Sequence, residues 1–130
     1  MGVTGYSQSV LGKWYSIDDN DQEECIINLY MVNGRLHGKV VELLQEEDRK
    51  KICKKCPGEK KDQPLLGLEI LSNFQEDDGV WTGGRILVPK TGKAYKCNIS
   101  IDENDQLIIR GYVGISILGR STFWQRVETE

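Results

Sequence analysis

The cysteine pair Cys53-Lys-Lys-Cys56 is the pattern in this sequence that could do the most chemistry. A C-x-x-C pair can act in thiol–disulfide exchange, as half of a zinc site or as a local disulfide. A redox site of the thioredoxin type requires the pair at the start of a helix after a strand, whereas Pro57-Gly58 follows at once here. Lys54 and Lys55 would favour a thiolate, so thiol–disulfide exchange is kept as the weakest functional hypothesis.

The other cysteines, Cys25 and Cys97, bring the total to four, an even number compatible with an oxidising compartment. These cysteines or His37 could complete a zinc site, but a second closely spaced pair is absent and the usual zinc spacings fail. A disulfide that pins the loop around Cys53 and Cys56 is the remaining interpretation. Four cysteines allow three full pairings and their spacing selects none of them. All four are therefore disulfide candidates, and no metal site is predicted.

Other patterns for catalysis or cofactor binding are not visible. The acidic stretch 18–24 fails the EF-hand template because Glu23 stands where the turn glycine is required, and it is interpreted as a solvated loop. His37 is the only histidine and falls on the outer face of its predicted strand, without a nucleophile beside it. There is no phosphate-binding glycine loop and no acid pair for glycoside hydrolysis. We therefore expect neither an enzyme nor a bound cofactor.

The composition bounds the partners and the location. A net charge of -3 and a pI of about 5.3 do not give the basic footprint of a nucleic-acid-binding domain. No apolar run approaches the roughly 18 residues that a membrane-spanning helix requires, so no transmembrane segment is predicted. The first ten residues lack a signal-peptide pattern, but Met1-Gly2 could replace one that was removed. The even cysteine count is compatible with export to an oxidising compartment but does not by itself establish it.

Short runs of alternating apolar and polar residues occur along most of the chain. Asn33-Gly34 and Asp78-Gly79 separate such runs and predict tight hairpins. One connection, Gln45 to Pro64, is unusually long and densely charged. The predicted strands are 13–17, 25–32, 35–44, 66–74, 80–88, 94–101, 107–113 and 121–127.

These strands predict an all-β fold. Roughly eight strands without an amphipathic helix long enough for a crossover indicate an antiparallel meander. Closing such a meander into a barrel removes its exposed edges and leaves an interior filled by side chains or by one small ligand. We therefore predict a single up-and-down eight-stranded barrel over residues 11–130, after a lead-in over residues 1–10. A two-sheet sandwich is the alternative.

The first and last strands carry residues that would meet if the sheet closes. Gly12 and Trp14 lie on the first predicted strand, and Arg126 lies on the last. An arginine over an indole gains cation–π attraction while its aliphatic stem covers apolar surface. The pattern resembles the lipocalin and calycin families, in which a first-strand tryptophan packs beneath the barrel against an arginine of the final strand. The resemblance implies that Gly12, Trp14 and Arg126 close the barrel.

A second resemblance extends over nearly the whole chain. The matching segments are GKWYSIDD from Gly12, NGRLHGKVV from Asn33, CKKCPG from Cys53, PLLGLEIL from Pro64, WTGGRILVP from Trp81, GKAYKCNI from Gly92 and RGYVGISILGRSTFWQRV from Arg110. In this order they resemble a bacterial family of small exported proteins defined only as a domain of unknown function, number twenty-one forty-seven. The resemblance implies a lipocalin-like fold and a periplasmic or secreted location, and it implies no reaction.

Strand alternation places a mostly apolar set inside the predicted barrel, with a few polar groups, which is the usual composition of a small-molecule pocket. The predicted inward residues are Ile27, Leu29, Met31, Leu36, Val40, Leu68, Ile70, Tyr95, Cys97 and Ile99. Glycines near this face favour free space inside or serve strand coiling, namely Gly38, Gly83, Gly84 and Gly111. The predicted ligand-binding residues are Trp14, Leu29, Val40, Trp81, Tyr95, Arg120, Thr122 and Trp124, with Arg120 offering a charge to an acidic headgroup.

The leading functional hypothesis is therefore non-enzymatic binding of a small apolar or amphipathic molecule inside the barrel. The alternative is a solid barrel that acts in the cell envelope through its loops. Two loops are candidates for that role: the charged segment 45–64 and the apolar run 115–118 between Gly114 and Gly119. An exposed run at 115–118 would mark a contact surface, including one for a homodimer.

Overall fold

Eight antiparallel strands, each paired with the next along the chain, form most of the fold in this computed structural model. The structure describes residues 9–17, 22–111 and 121–128, and Ser121 by its backbone alone. The helical segments within these ranges are two single 3-10 turns, Glu46–Asp48 and Gly58–Lys60. None of the described helical segments is long and apolar enough to cross a bilayer. The strands are β1 Gly12–Ile17, β2 Glu23–Val32, β3 Arg35–Leu43, β4 Glu69–Asp77, β5 Val80–Val88, β6 Lys93–Ile101, β7 Gln106–Gly111 and β8 Ser121–Arg126.

The sheet closes into a barrel because β1 also pairs with β8. Trp14 lies opposite Arg126 and Tyr15 lies opposite Gln125. The amide of Val127 continues the seam by donating to the carbonyl of Lys13 at 3.0 Å. The predicted up-and-down eight-stranded barrel is therefore confirmed, and the two-sheet sandwich is wrong. The division at residues 10 and 11 stays a prediction, since residues 1–8 lie outside the described ranges.

The two ends of the barrel differ in their connections. The β2–β3, β4–β5 and β6–β7 connections are tight turns at one end, which we call the turn end. At the first two of them, Asn33-Gly34 and Asp78-Gly79 adopt positive φ at both central residues, as a type I′ turn requires. At the third, the Asp102 carboxylate accepts the amides of Asn104 and Gln106, both at 2.9 Å. The opposite end, which we call the loop end, carries the longer connections.

Strand alternation fills the interior as predicted along most of the barrel. On β6, for example, Cys97 and Ile99 are fully buried, whereas the alternate residues Lys96 and Asn98 are exposed and half-buried. Met31 is an exception, because it lies next to the β2–β3 turn and is exposed there. The predicted inward position of Met31 is therefore wrong, and the interior ends at Leu29 on this strand.

The predicted start of the fourth strand at Leu66 is also wrong, since β4 begins at Glu69. Leu66 still belongs to the preceding loop, where the amide of Leu65 donates to the carbonyl of Lys51 at 3.0 Å. At its other end β4 continues to Asp77, because Glu76 and Asp77 pair with β5 beside the Asp78-Gly79 turn. Turn geometry thus extends this strand through polar residues that break the apolar pattern. The other described strand boundaries agree with the prediction to within two residues.

Candidate functional site at the two ends of the barrel

The turn end is closed by Trp14. Its side chain is fully buried, and its indole Nε1 donates to the carbonyl of Val10 at 2.9 Å. The central guanidinium carbon of Arg126 lies 4.3 Å from the centre of the Trp14 ring system, within cation–π range. The predicted contact between the first and last strands is therefore confirmed. Gly12 has a φ of 117°, a region that side chains rarely adopt, and a Cβ there would lie 3.7 Å from Nη1 of Arg126.

Arg126 also holds the lead-in and a turn in place. Its Nε and Nη2 donate to the two carboxylate oxygens of Asp105 at 2.7 and 3.0 Å. The same Nη2 donates to the carbonyl of Ser9 at 2.7 Å, and Nη1 donates to that of Leu11 at 3.3 Å. Hydrogen bonds from Arg126 lower the pKa of Asp105. This end of the barrel is a fixed structural plug, and Asp105 is the member that the sequence did not reveal.

The loop end is covered by the β3–β4 connection, residues 44–68, which we call the disulfide loop. Cys53 and Cys56 form a disulfide within this loop. Of the three interpretations of the pair, the structure therefore shows the local disulfide. The two half-cystines are only 1% and 3% exposed and pack into the hydrophobic core. The loop folds back on itself, since the Cys53 amide donates to Gln63 at 2.7 Å and its carbonyl accepts from Asp62 at 2.8 Å.

Contacts at both sides hold the disulfide loop across the loop end. At its start, the Leu44 amide donates to the carbonyl of Glu24 at 3.2 Å. Further on, Sγ of Cys53 lies 3.8 Å from the carbonyl oxygen of Pro89 in the β5–β6 turn. A Cβ on Gly92 in the same turn would overlap the carbonyl group of Lys55. The loop therefore spans from the β1–β2 side to the β5–β6 turn.

The remaining cysteines are buried free thiols. Burial raises the pKa of Cys25 to about 11 and that of Cys97 to about 12. Sγ of Cys25 lies 3.2 Å from Oγ of the buried Ser16. Predicted disulfides that involve Cys25 or Cys97 are therefore wrong. Among the described residues, no group of three or more His, Cys, Asp or Glu is arranged for a metal ion.

At mid-height the interior is filled by side chains. A Cβ on Gly38 would lie 2.9 Å from Cδ1 of Leu71 and 3.3 Å from Leu29 and Ile27 side-chain atoms. A Cβ on Gly84 would clash with the ring of Phe74. These two glycines therefore make room for large neighbours, and the expectation that they leave free space is wrong at both positions.

The predicted ligand-binding residues separate into two levels. Trp14, Trp81 and Trp124 lie toward the turn end, where Trp14 and Trp124 are buried and Trp81 packs against the core. Leu29 lies at mid-height opposite Gly38. Toward the loop end lie Val40, which is buried, and Tyr95 and Thr122, which are half-buried. Arg120 and the run 115–118 lie outside the described residues.

A polar cluster on the outer wall of β2–β4 was not predicted as a unit. The Tyr30 hydroxyl donates to Oε1 of Glu69 at 3.1 Å, and Nδ1 of His37 lies 3.2 Å from the same oxygen without in-line hydrogen-bond geometry. The two rings stack with centroids 6.0 Å apart, and Nζ of Lys39 lies 5.4 Å from the Tyr30 ring centre. Burial and Glu69 raise the pKa of Tyr30. The Asn33-Gly34 turn pairs residues 30 and 37, which is the signal that could have found this contact.

An eight-stranded up-and-down barrel with a first-strand tryptophan under a last-strand arginine is a lipocalin-like barrel. The chain belongs to the family described as uncharacterized protein conserved in bacteria (DUF2147), which matches residues 12–126. No curated protein matches the chain. A solved structure with the same fold is described as protein HP1028 from the human pathogen Helicobacter pylori, which belongs to the lipocalin family. The two share 14% identity with a TM-score of 0.76, over 93% of this chain and 84% of that one.

Proposed function

We propose that the protein binds a small, largely apolar or amphipathic molecule, without chemical turnover, in the half of the barrel interior next to the disulfide loop. The observation that carries this proposal is the difference between the two ends. The turn end is plugged by Trp14 and Arg126 in a fixed hydrogen-bonded arrangement. The loop end is covered by the disulfide loop, a connection outside the eight strands, and connections of this kind often carry binding sites.

The inward groups near the loop end suit such a ligand. Val40 and Leu43 supply buried apolar surface. Among the described residues of the same half, Ser16, Tyr95 and Thr122 supply polar groups that could orient one polar group of the ligand. This assigns the binding role to Val40, Tyr95 and Thr122 and leaves the three tryptophans and Leu29 as packing residues.

A periplasmic or extracellular location is part of the proposal. The Cys53–Cys56 disulfide supports it, since disulfides persist in oxidising compartments and are rare in the cytosol. Trapping the thiols with a maleimide in intact cells before lysis tests this location. If Cys53 and Cys56 are oxidised in the cell, neither sulfur reacts with the maleimide. Labelling of both sulfurs after mild denaturation would contradict the periplasmic or extracellular location.

One observation favours a second function, a solid barrel that acts through its loops. Side chains occupy the interior around Gly38 and Gly84, so the space for a ligand is confined to the loop-end half at most. Thiol–disulfide exchange has less support than either, because an attacking thiolate must reach a sulfur and both half-cystines are buried.

A binding titration with a fluorescent polyene fatty acid separates these functions. Val40→Phe overpacks the loop-end half of the interior, and Leu36→Phe overpacks the turn-end half. Both variants lose comparable stability, but only Val40→Phe is expected to weaken probe binding, by about tenfold or more. Equal binding by wild type and both variants would contradict an interior site, and no saturable binding by wild type would favour the solid barrel.

A further inference from the structure

The β5–β6 hairpin carries charge of one sign in an acidic protein. Residues 79–101 contain four Lys or Arg residues and no Asp or Glu, although the whole chain has a net charge of -3. The basic residues are Arg85, Lys90, Lys93 and Lys96, and all four are exposed. Charge on this hairpin is therefore segregated from the acidic remainder of the chain.

The strand register brings two of these charges together. Arg85 lies directly opposite Lys96 on the outer face of the sheet. Like charges in directly opposed positions destabilise a sheet. Neither side chain takes part in an ion pair with any described residue. The fold thus maintains an unfavourable arrangement that an anionic partner would relieve.

The disulfide loop extends this basic surface. Residues 49–61 contain seven Lys or Arg residues and one Glu. Because the carbonyl group of Lys55 contacts Gly92, the exposed Lys54 and Lys55 lie beside the β5–β6 turn with Lys90 and Lys93. We call these four lysines the lysine rim. Lys90 has a long ion pair with Glu24 at 3.8 Å, in which its side chain stays 74% exposed.

Two aliphatic side chains project from the same loop. Ile52 pairs with Pro64 in an antiparallel bridge, and the amide of Leu65 donates to the carbonyl of Lys51. In this register Cys53 and Leu65 face the barrel and are buried or half-buried, so Ile52 and Leu66 face away from it. They are 39% and 53% exposed, and Leu66 is the most exposed of the large apolar residues described.

From this combination we infer that the loop end is a docking surface for an anionic lipid bilayer. Lysines attract anionic headgroups, and aliphatic side chains between them enter the interfacial layer. A single-stranded nucleic acid would instead be expected to stack on aromatic side chains, and the lysine rim and its two aliphatic residues include none. The acidic residues of the loop lie in or beside its 3-10 turns, where Asp48 pairs with Lys51 at 2.8 Å. The inference does not depend on the proposed ligand.

Co-sedimentation of the full chain with vesicles tests this inference. Vesicles with about one third phosphatidylglycerol in phosphatidylcholine are compared with vesicles of phosphatidylcholine alone, at low and physiological salt. Wild type is expected to bind the anionic vesicles at least tenfold more tightly, with affinity falling as salt rises. Equal partitioning into both vesicle types would overturn the inference.

Paired variants locate the surface. Lys54→Glu with Lys55→Glu should weaken binding to the anionic vesicles about tenfold or more. Lys13→Glu with Lys39→Glu makes the same change in net charge on the outer wall of β1 and β3, and it should have little effect. An equal loss in both pairs would show attraction by net charge alone and would overturn the assignment to the loop end.

A third pair distinguishes a bilayer from a soluble polyanion. Ile52→Ser with Leu66→Ser should reduce vesicle binding severalfold, most clearly at high salt, because insertion of apolar groups is not screened. Binding to heparin should not change in this variant. If the serine variant binds vesicles as wild type does, while both proteins bind heparin as tightly as vesicles, the partner is a soluble polyanion and the lipid inference is wrong.

Discussion

The guanidinium of Arg126 lies 4.3 Å above the Trp14 ring system while its nitrogens donate to both carboxylate oxygens of Asp105. One side chain on the last strand therefore ties together the first strand and the β6–β7 turn. Its hydrogen bonds to the carbonyls of Ser9 and Leu11 also connect the lead-in segment to the same side chain. Arg126 thus takes part both in the strand pairing that closes the barrel and in the side-chain contacts that plug its turn end.

We expect Arg126→Ala to destabilise the protein by about 2–3 kcal/mol, since it removes a cation–π contact and charge-assisted hydrogen bonds. Arg85→Ala is the matched control, because Arg85 is exposed and has no ion pair with a described residue, and it should change stability by less than about 0.5 kcal/mol. Urea denaturation of both variants measures the difference. Similar small effects would show that the plug does not stabilise the fold.

The ion pair at the turn end should depend on pH. Arg126 lowers the pKa of Asp105 in the folded state, so the stability from this carboxylate is fully present above its unfolded value of about 3.9. That contribution is lost as pH falls through the lower folded value. Because the Asp105 side chain is 45% exposed, we expect wild type to exceed Asp105→Asn by at most about 1 kcal/mol at pH 7. A difference that persists unchanged at pH 2 would contradict this assignment.

Gly84→Ala should destabilise the barrel by about 2–3 kcal/mol, because its Cβ would overlap the Phe74 ring and a strand carbonyl. Gly38→Ala should cost less, since the nearest atom, 2.9 Å away, is the flexible end of Leu71. Thermal or urea unfolding compares the two. If Phe74→Leu makes the Gly84→Ala change less costly, the two residues are coupled as the structure requires, although the overlap with the Ser72 carbonyl remains in both backgrounds. Additive losses would contradict that coupling.

The two free thiols should be unreactive in the native protein. Burial raises the pKa values of Cys25 and Cys97 to about 11 and about 12, so both remain neutral at pH 8. Maleimide labelling should therefore reach them only after unfolding. Since these pKa values are raised on folding, the stability they contribute is present below pH about 8.5 and is lost as pH rises towards the folded values. Rapid native labelling at pH 8 would show that the thiols are accessible.

The barrel was predictable from the sequence because the signals that specify it lie within single strands and turns. Alternation and the turn residues Asn33-Gly34 and Asp78-Gly79 fix hairpins, and consecutive hairpins leave few topologies other than a closed meander. The pair Trp14 and Arg126 was accessible because their positions on the first and last strands become neighbours once the sheet closes.

The candidate site was less predictable because it depends on contacts between distant segments. Nothing local indicates that Lys55 packs on Gly92 or that the disulfide loop crosses the loop end. Glycine is also ambiguous in a sequence, since Gly38 and Gly84 leave room for Leu71 and Phe74 and not for a ligand. Leu66 follows the apolar rhythm of a strand, yet it lies in the loop because the loop pairs with itself.

The most direct test of ligand binding at the loop end is methyl NMR during titration with an unlabelled medium-chain fatty acid. We predict saturable shifts of the Val40, Leu43 and Ile86 methyl signals, with the Leu36 and Leu107 signals unchanged, since the first three lie toward the loop end and the other two toward the turn end. Shifts confined to surface methyl groups such as those of Leu66, or no saturable shift of any inward methyl group, would contradict an interior binding site.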